Sequence, residues 1–175
     1  GKPHDGTGCV YWGLVKYDGR PRLYILDWEL IQVDGAVLES WLPSVLARLD
    51  QFCRENKVNA GSLGAWIEDA QSGTILLQQA RKHGWKAYPI DSKLTSMGKD
   101  GRAFAVSPYA YQGRTKITAY AYEKVSDFKG DRRNHFLSQV TGFRIGDPDA
   151  VKRADDLADC FFYGPMIALG NYEGF

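Results

Sequence analysis

The residues of this chain best suited to chemistry are its carboxylates: Asp5, Glu68 beside Asp69, and Asp155-Asp156 with Asp159 one turn further on. Glu68 directly follows the apolar run Ala65-Trp66-Ile67, and Asp155-Asp156 open the last apolar helical stretch. Carboxylates at strand ends and helix starts can converge in space although they lie far apart in sequence. All-oxygen ligands of this kind suit Mg2+ or Mn2+. Two such cations about 3.5–4 Å apart clamp the attacking water and the leaving oxygen of an in-line displacement. The chemistry these acids would support is therefore two-metal phosphodiester hydrolysis, and without metal their mutual repulsion should strain the site.

Each acid also has an ordinary structural reading. Glu68 and Asp69 suit a solvated loop. Asp155 and Asp156 suit a helix start, where aspartate caps the first turn and its charge meets the macrodipole. Two adjacent acids plus Asp159 nevertheless exceed what a cap needs, and Lys152 and Arg153 could neutralise the cluster. Asp5 lies in a polar, glycine-rich lead, Gly1 to Gly8, next to His4. Other chemistries are poorly supplied. There is no G-x-x-x-x-G-K-[ST] phosphate loop, no C-x-x-C pair, no G-x-S-x-G, and the 3 histidines are scattered.

The elements that must position the acids follow from periodicity. Cys9–Tyr17 and Leu23–Val33 read as strands joined by the turn Asp18-Gly19-Arg20-Pro21, with Tyr24, Leu26, Trp28 and Leu30 on the buried face of the second strand. Ser40 is expected to cap a helix to about Asn56, with Pro43 in its first turn. Ser62–Ile67, a helix from Ser72 to His83 stopped by Gly84, and Trp85–Ile90 read as a parallel βαβ unit. Residues 91–101 read as a mobile loop, 102–111 as a helix limited by Pro108, and 114–122 as a strand. Asp131 is expected to start a helix carrying Phe136, Leu137 and Val140, and the last helix is kinked or ended near Pro165. Hairpin first, βαβ next and helices on both faces make one mixed-sheet α/β domain over residues 1–175.

Composition frames the partners. The 175 residues carry 44% hydrophobic and 25% charged side chains, enough for a full core. A formal net charge of +1 means that any nucleic-acid contact needs a local basic surface. Lys93, Lys99 and Arg102 around the expected loop, with Lys129, Arg132 and Arg133, are the candidate phosphate contacts. Cys53 and Cys160 read as small core residues, and Cys9, Cys53 and Cys160 form no evident framework, which points to a reducing cytosol. No apolar run is long enough to span a bilayer, so no membrane partner is expected.

The order and spacing of these residues resemble the C-terminal nuclease domain of tailed-bacteriophage large terminases, over nearly the whole chain. The resemblance rests on Gly1-x-x-x-Asp5 before a strand, Trp66-Ile67-Glu68 with Gly73 after it, Lys99-x-x-Arg102, and Asp155-Asp156-x-x-Asp159. It implies a ribonuclease-H-like fold and a Mg2+- or Mn2+-dependent endonuclease that cuts concatemeric viral double-stranded DNA during packaging in the host cytoplasm. It also implies a preceding ATPase domain, a small terminase subunit and a portal as partners. Asp5, Glu68 and Asp156 would hold metal, with Asp155 supporting Asp156.

In one respect the chain departs from that pattern. The family's first metal-binding aspartate ends a strand upstream of a glycine-rich stretch that leads to a second acid. Asp5 matches the second acid, so a first one is expected before Gly1, and without it DNA cleavage should be poor; alternatively Cys9–Tyr17 is the first strand and Asp5 serves directly. Two other readings share these acids. One is another ribonuclease-H-like enzyme, of junction-resolvase or transposase type, distinguished by its DNA substrate. The other is a non-catalytic DNA- or protein-docking module, distinguished by failing to bind manganese.

Overall fold

A computed structural model describes residues 6–16 and 19–170. Asp5, Tyr17 and Asp18 lie outside the described residues. The chain divides into two compact units, the first formed by residues 6–32 and 97–170 and the second by Val33–Ser96.

The first unit opens with the expected hairpin, β1 (Thr7–Val15) antiparallel to β2 (Arg22–Ile31). Its inward face is not the one that simple alternation gives. Tyr11 pairs with Asp27 and Trp12 with Ile25, so Leu26 is the extra residue of a β-bulge. Side chains alternate with period two, so one extra residue reverses the parity of everything beyond it. Leu23 and Ile25 are therefore buried before the bulge and Trp28 and Leu30 after it, while Tyr24 and Leu26 are only half-buried.

The second unit begins with α1 (Gly35–Glu55), which starts earlier than expected. The Asp34 carboxylate, not Ser40, accepts from the backbone N–H of Val37 at 3.2 Å. Ser40 instead donates to the Val37 carbonyl, and Pro43 lies well inside the helix. The βαβ unit is present: β3 (Ala65–Ile67) and β4 (Ala87–Pro89) run parallel around α2 (Ser72–His83), which Gly84 ends at φ 69°. Ser72 does not cap α2, because Gln71 holds that place without a side-chain bond. Leu38, Leu42, Leu76 and Ala80 form the core between α1 and α2, with Ile67 and Trp85 against it.

Residues 91–101 are helical rather than a loop. Asp91 caps the short α3 (Ser92–Thr95), and α4 (Gly98–Tyr111) takes the chain back into the first unit, with Pro108 inside it. The strand expected over 114–122 stops early: β5 (Thr115–Ile117) pairs parallel with β2, then Thr118 caps α5 (Ala119–Glu123). Asp131 starts no helix. It lies in a hairpin of β6 (Ser126–Phe128) and β7 (Asp131–Arg133) whose turn residues Lys129 and Gly130 have φ of 50° and 79°. Two consecutive positive φ values make the mirror-image turn that suits strand twist. Asn134 then caps α6 (His135–Gly142), accepting from the N–H of Leu137 at 2.9 Å. After a 3-10 turn at Ala150–Lys152 comes α7 (Asp156–Leu169), which Pro165 does not end.

The fold is thus mixed α/β with a mixed sheet, β1-β2-β5. The parallel neighbour of β2 is β5, not a strand of the βαβ unit, and β3-β4 and β6-β7 are separate two-stranded sheets. Helix α7 packs on β1 and β2 and is flanked by α4 and α6. Ile25, Trp28, Leu30, Ala121, Phe136 and Leu157 make the core of this unit, and the Trp28 indole N–H donates to the Ala121 carbonyl at 3.0 Å. Behind it Lys124 binds the buried Asp27 carboxylate at 2.7 Å and the Trp28 carbonyl at 2.6 Å. Cys53 and Cys160 are half-buried rather than core residues, and none of the three cysteines is in a disulfide.

Candidate functional site at the start of the last helix

The first turn of α7 carries Asp155, Asp156 and Asp159, and the three do different things. Asp155 occupies the cap position but its side chain does not cap. It is held by the Lys99 ammonium, reaching from α4. One turn along α7, Asp159 meets Lys99 at 3.5 Å and Arg102 Nη2 at 3.2 Å. Residues three and four apart share a helix face, so Lys99-x-x-Arg102 on one helix matches Asp155-x-x-x-Asp159 on the other. Arg102 is 4% exposed and its guanidinium also lies 4.6 Å above the Tyr163 ring. It works inside the protein, as a clamp between α4 and α7.

The cap is supplied from elsewhere. Gln139 of α6 accepts from the backbone N–H of Leu157 at 2.7 Å and of Ala158 at 3.4 Å. Those donors would otherwise be orphans of the helix start. Gln139 thereby relieves the α7 acids of the capping task that their position suggests.

Asp156 is the acid left over. Among the described residues it has no ion pair, and its carboxylate lies against the backbone of the chain entering β1. A methyl group on Gly6 would come within 2.9 Å of Asp156 Oδ2, and one on Gly8 within 2.8 Å of the Asp156 carbonyl. Only glycine fits at Gly8, where β1 passes the start of α7. Burial, and then the charge of Asp155, push the Asp156 carboxyl from the ordinary aspartate range to about 6. A helix start favours an anion by about 0.3–1 kcal/mol, so burial and like charge outweigh it here. Burial also raises Asp159, against the opposing effect of Lys99. Burial alone would lower the Lys99 ammonium, but its bond to Asp155 and the charges of Asp159 and Asp155 raise it.

A half-buried carboxylate that titrates high and pairs with no cation among the described residues is suited to take a proton or a metal ion. Oxygen donors of this type fit a hard divalent cation as one ligand. Among the described residues, however, no three His, Cys, Asp or Glu side chains are grouped to hold a metal ion. Asp5 lies outside the described residues. Glu68 belongs to the second unit, where it is exposed directly after β3. Its turn is tight: Ala70 N–H donates to the Glu68 carbonyl at 2.8 Å, Gln71 adopts φ 51°, and a side chain at Gly73 would overlap that carbonyl. A non-glycine residue at positive φ is strained, and such strain gathers at functional turns. Asp69 beside it accepts from the Thr74 hydroxyl at 2.8 Å.

The expected phosphate contacts are dispersed. Lys93 is exposed on α3 in the second unit. Lys99 and Arg102 hold the α7 acids. Arg132 and Arg133 are exposed on the β6-β7 hairpin but pair with its own acids, Arg132 with Asp127 at 2.8 Å and Arg133 with Asp131. Lys129 sits at the tip, 5.4 Å from the Phe128 ring. Sequence reading missed Gln139, which no local pattern marks. It also missed the hairpin, although Lys129-Gly130 between short polar-apolar runs was a usable turn signal.

Among the described residues, no helix is long and apolar enough to cross a membrane. Comparison with known proteins returns no matching family model, no matching curated protein and no matching solved structure.

Proposed function

We propose that the chain is a divalent-metal endonuclease of ribonuclease-H-like type, acting on double-stranded DNA in viral genome packaging. The observation that carries the reading is Asp156: a half-buried carboxylate without an ion pair among the described residues, titrating near 6, whose two neighbouring acids are each held by α4 cations. A carboxylate unpaired among the described residues, beside two paired ones, suits a cation ligand better than a simple helix cap. The strained turn after Glu68 supports a role for the second acid. In this reading Asp156 would be one ligand of a Mg2+ or Mn2+ ion, which would activate water and stabilise the leaving oxygen. Lys99 and Arg102 keep Asp155 and Asp159 in place and hold α4 against α7.

The test is nicking of supercoiled plasmid with manganese, magnesium or chelator. Metal-dependent nicking is expected, reduced roughly a hundredfold or more in Glu68→Ala and in Asp156→Asn. Equal activity in chelator, or in both variants, would overturn the reading. The ion pairs of Asp155 and Asp159 also suit a second reading, a docking module of the same fold. In that case Mn2+ would neither bind nor change the melting temperature.

A further inference from the structure

A second site lies at the other end of the hairpin from Asp156. Residues 19–22 leading into β2, residues 112–114 after α4 and Lys116 of β5 border a cavity of about 740 Å³, lined by Gly19, Arg20, Pro21, Arg22, Gln112, Gly113, Arg114 and Lys116. Among the described residues the lining has four cations and no carboxylate, on a chain whose whole formal charge is +1. Arg114 is held ready: its Nε donates to the Pro21 carbonyl at 3.0 Å and its guanidinium lies 5.2 Å from the Tyr109 ring. The carbonyls that end α4 are already occupied, by the N–H groups of Gln112, Gly113 and Arg114. The helix end therefore presents few free acceptors to repel an anion. Among the described residues neither Arg114 nor Lys116 makes an ion pair, unlike Lys99, Arg132 and Arg133.

We propose that this cleft binds the phosphate backbone of duplex DNA, away from the cutting site. The choice of a long polyanion rests on the proposed nuclease reading and on spacing. From Gly8, against Asp156, to Val15, opposite Arg22, β1 advances seven residues, roughly 23 Å at about 3.3 Å each. That length corresponds to about seven base pairs at about 3.4 Å per pair. A phosphate held here is remote from a scissile bond at Asp156 and would serve to grip and orient the duplex. It carries no base readout, so the contact is independent of sequence.

Duplex binding measured by fluorescence anisotropy in chelator tests this without any need for cleavage. The exposed pair Arg20→Glu with Lys116→Glu avoids Arg114, which also supports the fold. Circular dichroism confirms that this variant is folded, and Lys82→Glu in the second unit controls for net charge. The double reversal should weaken binding about tenfold or more and flatten the logarithmic salt dependence by about two, near 0.9 per lost phosphate contact. Unchanged affinity and salt slope, or no duplex binding by the unaltered chain, would overturn the proposal. So would saturation of the cleft by inorganic phosphate with duplex binding unaffected, which would assign it to a small anion. Loss of nicking with duplex binding retained would instead count against the nuclease reading alone.

Discussion

At the scale of single residues, Asp156 is the informative one, because two opposed effects act on its proton. The helix start favours its charge; burial and Asp155 disfavour it more, and the carboxyl titrates near 6. An exposed aspartate titrates near about 4, so protonation favours the folded state. The cost of the charge is absent below about pH 4, grows as the pH rises through about 6 and is complete above it. With solvent screening of a half-buried group, that cost is on the order of 1 kcal/mol. Asp156→Asn should therefore melt higher than the unaltered chain at pH 7.5 and about equally at pH 4, measured by thermal unfolding across that range. A constant difference at all pH values would show that the carboxyl is not perturbed. Loss of nicking in the same variant would pair a gain in stability with a loss of activity, as expected of a carboxylate kept for function.

At the scale of elements, the start of α7 depends on parts that come from elsewhere. Gln139 on α6 satisfies two of its N–H groups, and Gly8 in β1 lets a strand pass against its first turn. Gln139→Leu keeps the bulk but leaves the Leu157 N–H without its acceptor, which should cost about 1–2 kcal/mol in denaturant unfolding. Gly8→Ala forces a methyl group against the Asp156 backbone and should cost about 1–3 kcal/mol. An effect below about 0.5 kcal/mol from either change would mean that α7 is anchored by its apolar face alone. The bulge at Leu26 is a device of the same scale, since one unpaired residue decides which half of β2 faces the core.

For the whole molecule, each unit has its own core: Trp28, Phe136 and Leu157 in the first, Leu42, Leu76 and Ala80 in the second. Truncation of either core should be felt strongly. Trp28→Ala, which also leaves the Ala121 carbonyl without its indole donor, should cost about 3–5 kcal/mol. Leu42→Ala should cost about 2–5 kcal/mol. Denaturant unfolding followed by circular dichroism checks both, and a loss under about 1 kcal/mol in either would contradict the packing described. The two cores also explain why composition reads as ordinary for one domain of this length: apolar content reports how much core there is, not how it is divided.

Much of the local order was legible in the residues themselves. The hairpin with its Gly-Arg-Pro turn, the β3-α2-β4 unit, the glycine stop of α2 and the acidic opening of α7 all follow from neighbours in sequence, where spacing and turn chemistry act directly. What sequence could not supply were the choices made across long separations. Alternation along β2 could not reveal the bulge, because its cause is the pairing with β1. The taste of aspartate for helix starts could not reveal that Asp155 is claimed by Lys99 and its capping task by Gln139. Nor could the charges of Arg20, Arg22, Arg114 and Lys116 be read as one surface, since two pairs about ninety residues apart meet only when β5 is laid beside β2. Local propensities decide which elements form; which side chains share a space is decided by tertiary pairing, because contact energies depend on distance in space and not along the chain.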